Sequence, residues 1–198
     1  MPDSFKFKEE AALPMTFTTA YHMLVDRAAT KPEETVLVLG AGSGIGSAAI
    51  QVASLLGAKV IATSLTEDKL KKAQRIGADV VVNYSQDGWA EDVLAATHGR
   101  GVDVVIEHIG SATFAKSLRC LAKNGRLVTC GVTSGSYATI NIRELFMAQR
   151  SILGFVTGTM KDFIAVTKLP GKGKIRPILD SVYRLKDARK AQERLLSR

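Results

Sequence analysis

Six short runs of β-branched residues recur along this sequence, with segments of helical composition between them. The runs span residues 35–40, 59–64, 80–84, 102–108, 126–131 and 151–155. The helical segments span residues 43–56, 67–76, 88–98 and 112–123. Strands that alternate with helices predict a parallel sheet built from βαβ units. Because the strand runs are almost continuously apolar, helices should cover both faces. We therefore predict a doubly wound α/β fold with a six-stranded parallel sheet.

The two ends of the chain depart from this pattern and suggest three parts. Residues 1–30 are an N-terminal segment with a helix expected near residues 18–29, and residues 31–168 are the α/β domain. Residues 169–198 are a basic tail, with a break predicted at residues 170–173 and a helix at residues 186–196. The spacing of its apolar residues predicts that this helix packs on the body of the protein through Ala188, Ala191, Leu195 and Leu196.

The net charge of +8 is concentrated at one end of the chain. Residues 161–198 hold 11 of the 27 basic and 4 of the 19 acidic side chains, which is +7 of the total. A broad nucleic-acid surface is therefore not expected, and RNA binding by the basic tail is kept only as an alternative. No membrane partner is expected either, because polar residues interrupt the most apolar stretch, residues 47–65.

Cysteines and histidines are too few for the common metal motifs. The chain has two cysteines, Cys120 and Cys130, and three histidines, with no CxxC or HExxH spacing. We therefore expect no zinc in this chain. Free thiols and a charged N-terminus without an apolar secretory segment favour a cytoplasmic protein.

The most informative motif joins the first predicted strand to the helix that follows. Residues 40–46 read GAGSGIG. Glycines let a backbone turn sharply and approach a pyrophosphate, and a helix N-terminus offers free N–H groups to an anion. The alternative is a tight turn without a ligand. No Gly-Lys-Ser/Thr sequence follows, which excludes a Walker loop.

The spacing of these glycines is GxxxGxG, which short-chain dehydrogenases also use. That class needs a Tyr-x-x-x-Lys pair, in which the lysine lowers the tyrosine pKa for proton transfer. None of the four tyrosines has a lysine four residues later, which argues strongly against this class.

The residues after the second and third strands favour NADP over NAD. In this type of fold an acid at the end of the second strand binds the ribose hydroxyl of NAD and repels a 2′-phosphate. The second strand ends instead in Ser64, Lys69 follows in the next helix, and Tyr84 closes the third strand. A hydroxyl and a cation suit a phosphate. The alternative is that Lys69 is a surface lysine and that Glu67 or Asp68 binds the ribose of NAD.

Five stretches of the sequence resemble the medium-chain dehydrogenase/reductase superfamily, in its zinc-type alcohol dehydrogenase-like and quinone oxidoreductase-like branches. They are AALPMTFTTAY at 11–21, GAGSGIG at 40–46 with AIQ at 49–51, GAD at 77–79 with VNY at 82–84, GVDVVIEHIG at 101–110 and GRLVTCG at 125–131. The resemblance implies a Rossmann domain that binds a nicotinamide dinucleotide, and it follows the chain in order over nearly its whole length.

The resemblance also implies roles for particular residues along the dinucleotide. The pyrophosphate should be faced by Gly42, Ser43, Gly44 and Ile45, and the 2′-phosphate should be held by Ser64, Lys69 and Tyr84. The nicotinamide half should be bordered by His108, Ile109, Cys130, Gly131, Val132, Phe155 and Thr157, with Thr19 approaching from the other side.

His108, both cysteines and Trp89 have simpler, structural alternatives. His108 can be a satisfied polar residue at a strand end. Cys120 and Cys130 are expected to be small buried hydrophobes. Trp89 is expected to anchor its helix against the sheet. Ser43 also departs from the glycine that the family often has there, and Pro170 interrupts a region that is usually helical.

The resemblance implies the cofactor domain of an NADP-dependent oxidoreductase, which transfers hydride between the nicotinamide and a carbonyl, alcohol, quinone or enone. Family members carry a GroES-like catalytic domain before the equivalent of residue 11, so we expect this chain alone to bind the nucleotide with little or no turnover. The alternative is a stand-alone NADP-binding or sensory module. The resemblance also suggests a homodimer formed through the edge strand at residues 151–155.

Overall fold

Six parallel strands form one sheet in the computed structural model, which describes residues 5–169 and 175–197. The strands are β1 Thr35–Val38, β2 Lys59–Ser64, β3 Val80–Asn83, β4 Val102–Glu107, β5 Leu121–Thr129 and β6 Ser151–Gly154. Their order across the sheet is β3-β2-β1-β4-β5-β6. This confirms the predicted Rossmann-type sheet. The break predicted at residues 170–173 lies outside the described residues.

Helices cover both faces of this sheet, as predicted. They are α1 Phe7–Tyr21, α2 Gly44–Leu55, α3 Glu67–Arg75, α4 Trp89–Ala96, α5 Phe114–Arg119, α6 Ile142–Met147, α7 Met160–Thr167 and α8 Ala188–Leu196. A π-helix follows α1 at His22–Arg27, and a 3₁₀ turn precedes α8 at Leu185–Asp187. No helix in the described part of the chain is both long and apolar enough to cross a membrane.

Alternate residues of the central strand pack into two separate cores. Val36 and Val38 of β1 join the core under α1, α2 and α7, whereas Leu37 and Leu39 join the core under α4 and α5. All four side chains are fully buried. This is the burial expected of a strand covered on both faces, and it explains why β1 has no polar alternation. Trp89 is buried in the second core, in agreement with its expected role as an anchor for α4.

The N-terminal helix begins earlier than the predicted start near residue 18. α1 runs from Phe7 and includes Pro14, which removes one backbone donor from the helix without ending it. Leu13, Phe17 and Ala20 are buried on one face, spaced as a helical stripe requires. These residues belong to the core that also contains α2, so the N-terminal segment is part of the packed body.

The fifth helix is shorter than the predicted range 112–123 because β5 starts before that range ends. The N–H of Val102 donates to the Cys120 carbonyl at 2.9 Å, and Val102 pairs with Leu121. Asn124 then takes a left-handed conformation, with φ of 61°, and the pairing resumes with a shifted register. The apolar start of β5 therefore has helical composition but lies in the sheet.

Beyond α7 the chain returns to the N-terminal half. Ile175 is buried, and the backbone of Arg176 makes two hydrogen bonds with the side-chain amide of Gln51 at 2.8 and 3.1 Å. The Arg176 guanidinium also pairs with Glu9 at 2.8 Å. These contacts attach the start of the tail to α1 and α2.

The final helix does not pack on the body as predicted. Leu195 and Leu196 are 55 % and 84 % exposed. Two ion pairs, Lys190 with Asp187 and Arg194 with Asp180, hold α8 against the segment that immediately precedes it. The helix is amphipathic, but its apolar face is open in this chain.

Candidate functional site

The glycine loop brings the start of α2 against the end of β1. A Cβ on Gly46 would overlap the carbonyl oxygen of Gly40, so only glycine permits this approach of backbone to backbone. Gly40 itself has φ of 62°, in the left-handed region that glycine favours. The loop lies at the carboxyl edge of the sheet between β1 and β4, where the strand order reverses. In open α/β sheets this is the crevice in which ligands bind.

The first turn of α2 offers unpaired backbone donors to this crevice. Ser43 is the N-cap residue, and its hydroxyl accepts the N–H of Gly46 at 2.9 Å. The N–H groups of Gly42, Gly44 and Ile45 have no acceptor among the described residues. Free N–H groups at the positive end of a helix dipole suit a pyrophosphate, so the residues present fit a dinucleotide.

Lys69 lies directly over this loop. A Cβ placed on Gly42 would come within 2.5 Å of the Lys69 Cδ atom, which shows how closely the lysine stem covers the backbone there. The N–H of Ala41 also donates to the Thr63 carbonyl at 2.7 Å, which fixes the loop to the end of β2. The structure therefore brings Lys69, predicted from its spacing after β2, to the glycine loop.

The other two residues predicted for the 2′-phosphate close adjacent strands. Ser64 is 3 % exposed at the end of β2, and its carbonyl accepts the N–H of Tyr84 at 3.1 Å. The Tyr84 phenol is half-buried, and burial raises its pKa, with a further rise from the charge of Glu107. The two residues thus lie at the ends of neighbouring strands on the outer, β2–β3 side of the crevice.

His108 serves a structural purpose at the base of the crevice. Its Nε2 lies 2.8 Å from the carbonyl oxygen of Leu39 and 3.4 Å from the Ser43 hydroxyl. The ring is buried, which lowers its pKa, and its Cε1 atom would lie 3.1 Å from a Cβ on Gly40. These contacts match the alternative of a satisfied polar residue that ties β4 to β1. Ile109 follows it and is half-buried beside the same glycine.

Glu107, which sequence reasoning missed, organises the loop after β4. This carboxylate is fully buried and accepts four hydrogen bonds, two from backbone and two from hydroxyl groups. The donors are the N–H groups of Ile109 and Gly110 and the hydroxyls of Thr113 and Ser117, at 2.7 to 3.1 Å. Glu107 could have been predicted as a buried, hydrogen-bonded acid because it ends an apolar strand, where a charge must find buried partners.

The cysteines behave as buried apolar residues. Burial raises the pKa of the Cys120 thiol to about 12 and that of Cys130 to about 11. The Cys130 sulfur lies 3.8 Å from the sulfur of Met23, beneath the N-terminal segment. Cys120 is buried as expected, whereas Cys130 is only half-buried, with its sulfur towards the core.

The remaining residues predicted for the nicotinamide follow β5 and β6. Gly131 packs so closely on the His108 carbonyl that a Cβ would lie 2.5 Å from it. Val132 and Thr157 are exposed, and Phe155 is half-buried. Since parallel strands end at one edge, these residues lie at the same carboxyl edge as the glycine loop, on the β5–β6 side.

The helix α1 forms the opposite wall of the crevice. A Cβ on Gly44 would lie 2.7 Å from the Thr16 methyl group, and one on Gly158 would lie 2.5 Å from that of Thr18. α1 thus touches both the loop after β1 and the segment after β6. Thr19 is buried in this stretch. Its approach to the nicotinamide from the side opposite to the strand ends stays a prediction.

One further group of polar side chains lies behind this wall. The His22 Nδ1 atom is 2.9 Å from an oxygen of Asp162 and 3.4 Å from one of Asp26. Burial raises the pKa of Asp162, but hydrogen bonds from Thr159 and His22 outweigh it and hold the pKa at about 2. The three residues are of metal-binding types, yet the Asp162 oxygen already accepts three hydrogen bonds. The group is satisfied internally, which makes it a poor metal site.

Fold, glycine loop and crevice together define a dinucleotide-binding domain. A family model described as zinc-binding dehydrogenase matches residues 44–170. Quinone oxidoreductase-like protein 2 of Bos taurus is 33 % identical over 201 residues, which cover 96 % of this chain and 58 % of that protein. The chain belongs to the zinc-binding dehydrogenase family of the medium-chain dehydrogenase/reductase superfamily.

Solved structures agree with this assignment. The crystal structure of an NAD-dependent alcohol dehydrogenase superposes with a TM-score of 0.95 at 38 % identity, over 99 % of this chain and 57 % of the other. The 2-octenoyl-CoA carboxylase reductase CinF, in complex with NADP and 2-octenoyl-CoA, superposes with a TM-score of 0.90 at 32 % identity, over 99 % and 48 %. The chain thus spans about half to three fifths of the length of these relatives.

The Gly46→Ala substitution tests the backbone contact that shapes the loop. The added methyl group would overlap the Gly40 carbonyl, so we expect the free energy of unfolding to fall by about 2–4 kcal/mol. Urea unfolding followed by circular dichroism measures this change. Gly88→Ala is the matched control, because a Cβ there meets nothing within 4 Å, and it should change stability by less than about 0.5 kcal/mol. Equal effects of the two substitutions would contradict this account of the loop.

The low pKa of Asp162 predicts a pH-dependent contribution to stability. With a folded-state pKa of about 2 against an ordinary value of 3.8, the carboxylate stabilises the fold above about pH 4, and this is lost as the pH falls towards 2. Asp162→Asn should therefore lower the free energy of unfolding by about 2 kcal/mol at pH 7. The difference from wild type should shrink between pH 4 and pH 2 in urea titrations. The exposed Asp92→Asn should show no such trend, and a pH-independent difference for Asp162→Asn would refute the assignment.

Proposed function

We propose that this chain is the NADP(H)-binding domain of an oxidoreductase of the alcohol dehydrogenase and quinone reductase type. The observation that carries the proposal is the set of N–H groups at the start of α2 that have no partner in the described part of the chain, with the stem of Lys69 lying over the same loop. Those donors match a pyrophosphate, and the lysine adds a cation at the edge of the site. Glu107 brings no uncompensated negative charge to the crevice, because four donors satisfy it beneath the surface.

The choice of NADP over NAD depends on the outer side of the crevice. β2 ends in the hydroxyl of Ser64, with the Lys69 side chain at the loop and the Tyr84 phenol on the next strand. A hydroxyl and an ammonium group favour a 2′-phosphate over a bare ribose. CinF is described with NADP and another structural relative as NAD-dependent, so the family accommodates both cofactors. NADP is therefore our proposal for this chain.

The bound nicotinamide would supply hydride transfer to or from a carbonyl, alcohol, quinone or enone. The residues of this chain would bind the dinucleotide, hold the ring between Thr19 and the segment containing Phe155 and Thr157, and exclude water from one face. We expect the purified chain to turn over poorly or not at all, because it spans little more than half of its relatives. An oxidoreductase rate close to that of a full-length relative would overturn this expectation.

A stand-alone NADP-binding or sensory module is the second candidate. Against this candidate, the open apolar face of α8, with Leu195 and Leu196 exposed, favours a chain that contacts further protein. A gene that encodes only these residues would support the stand-alone module, whereas coding sequence for a preceding GroES-like domain would remove it.

Assembly and location complete the proposal. β6 is an edge strand of the described sheet, and Ile152 on it is 37 % exposed, so self-pairing in a homodimer would cover it. A monomeric mass by light scattering would count against the dimer.

We propose a cytoplasmic location, which agrees with the two free thiols.

The decisive experiment compares NADPH and NADH binding to wild type and Lys69→Ala by calorimetry. We expect wild type to prefer NADPH, and Lys69→Ala to weaken NADPH binding by about tenfold because a charge-assisted contact is lost. NADH affinity should change by less than about twofold. Lys71→Ala is the matched control, since Lys71 is an exposed lysine on the same helix. A wild-type preference for NADH, or equal effects of the two alanine variants on NADPH, would contradict the assignment of NADP to this site.

A further inference from the structure

The segment between β6 and α7, residues 155–159, contacts the N-terminal part of the chain through Phe155 and Gly158. It is called here the β6–α7 loop. The Gly158 backbone packs closely on Thr18, because a Cβ built on the glycine would lie 2.8 Å from the Thr18 carbonyl oxygen. The Phe155 ring lies against the His22 ring, with centroids 5.0 Å apart and planes tilted by 36°. Both contacts come from α1 and the π-helix that continues it.

His22 also acts on the other end of the loop, through Asp162 in the first turn of α7. Its Nδ1 lies 2.9 Å from Asp162, which accepts the Thr159 N–H at 2.6 Å and the Thr159 hydroxyl at 2.7 Å. Asp162 is 1 % exposed and begins α7 with a capping box. Because the pKa of this carboxyl is about 2, its oxygens only accept hydrogen bonds near neutral pH, so Nδ1 of His22 carries the donated hydrogen.

A single imidazole thus fixes the loop at both ends. One face of the ring supports Phe155, at the point where β6 ends, and one nitrogen holds Asp162, at the point where α7 begins. Asp26 lies 3.4 Å from the same nitrogen and is partly exposed, so it reinforces the orientation of the ring from its own helix. Loss of the ring would remove the contacts with Phe155 and Asp162 and leave Gly158 as the contact of the loop with the N-terminal part of the chain.

We propose that His22 is a positioning residue that sets the geometry of the β6–α7 loop and, through it, the nicotinamide end of the crevice. The inference rests on the proposed function, which puts Phe155 and Thr157 beside the nicotinamide. His22 does not touch the reacting atoms. It holds the segment that would border them, and it acts through Phe155 and Asp162.

The first test measures hydrogen exchange in the chain without nucleotide. His22→Ala should speed exchange of the Thr159 amide, which donates to Asp162, by about tenfold, while the amides of β1 keep their wild-type rates. His22→Gln, which retains a donor for Asp162 but not the ring, should recover part of the protection. Unchanged exchange in the loop overturns the proposal. Faster exchange in β1 as well also overturns it, because it would indicate a general loss of stability.

The second test separates the two halves of the nucleotide. His22→Ala should weaken NADPH binding by about tenfold and leave 2′,5′-ADP, which lacks the nicotinamide, within about twofold of wild type. His98→Asn is the control: His98 is an exposed histidine near the start of β4, at the opposite edge of the sheet, and its left-handed φ of 53° suits asparagine.

The outcomes distinguish this inference from the function on which it rests. A wild-type chain that binds neither NADPH nor 2′,5′-ADP overturns the proposed function, and the nicotinamide role of His22 with it. Normal wild-type binding with unchanged NADPH affinity in His22→Ala overturns the role of His22 alone. Equal weakening of NADPH and 2′,5′-ADP also overturns it, because the effect would not be confined to the nicotinamide end.

Discussion

The contact between Gly46 and the carbonyl of Gly40 is the constraint on which the rest of the site depends. It allows α2 to start directly above the end of β1, so that the helix dipole and the free N–H groups point into the gap where the strand order reverses. His108 reinforces this arrangement from β4 by bonding to Leu39. A larger residue at position 46 would move the helix away and remove the donors together with the close approach. The loop therefore forms the site through its backbone geometry and N–H groups, and its side chains contribute less.

The charges near the glycine loop are few, although the whole chain carries a net charge of +8. Three basic residues of the tail, Arg176, Lys190 and Arg194, form ion pairs with α1 or with the segment that precedes α8. Near the crevice, hydrogen bonds from neighbouring groups satisfy the carboxylate of Glu107. Lys69 is the cation that contacts the glycine loop. The field that a bound anion would meet is therefore set by backbone dipoles and one lysine, with little dependence on the +8 of the whole chain.

The sheet, its strand order and the glycine loop were predictable from sequence because local patterns determine them. Apolar strand runs specify burial on both faces, and the glycine spacing specifies a turn that other residues cannot make. Lys69 was predictable for the same reason, since it follows β2 at a fixed distance. The start of β5 was not, because the Leu121 run has helical composition and only its pairing with Val102 reveals a strand.

The polar partners of the site escaped prediction because they depend on tertiary contacts. Nothing near Asp162 in the sequence points to His22, and Glu107 gains its meaning from donors on the following loop and helix. The predicted packing of α8 failed for the opposite reason. The helix is amphipathic, as its sequence pattern predicts. The pattern does not specify which surface packs against the apolar face, and Leu195 and Leu196 are exposed in this chain.

The two walls of the crevice come from opposite ends of the chain, and this has a consequence for folding. His22 and Asp162 are 140 positions apart in sequence, and the contact of Thr18 with Gly158 closes a loop of the same length. Contacts of such high sequence separation form late, since the entropy of the intervening chain must be lost first. During synthesis the central strands and the glycine loop emerge before residue 158 exists. We therefore expect the dinucleotide crevice to acquire its final shape only after nearly the whole domain has left the ribosome.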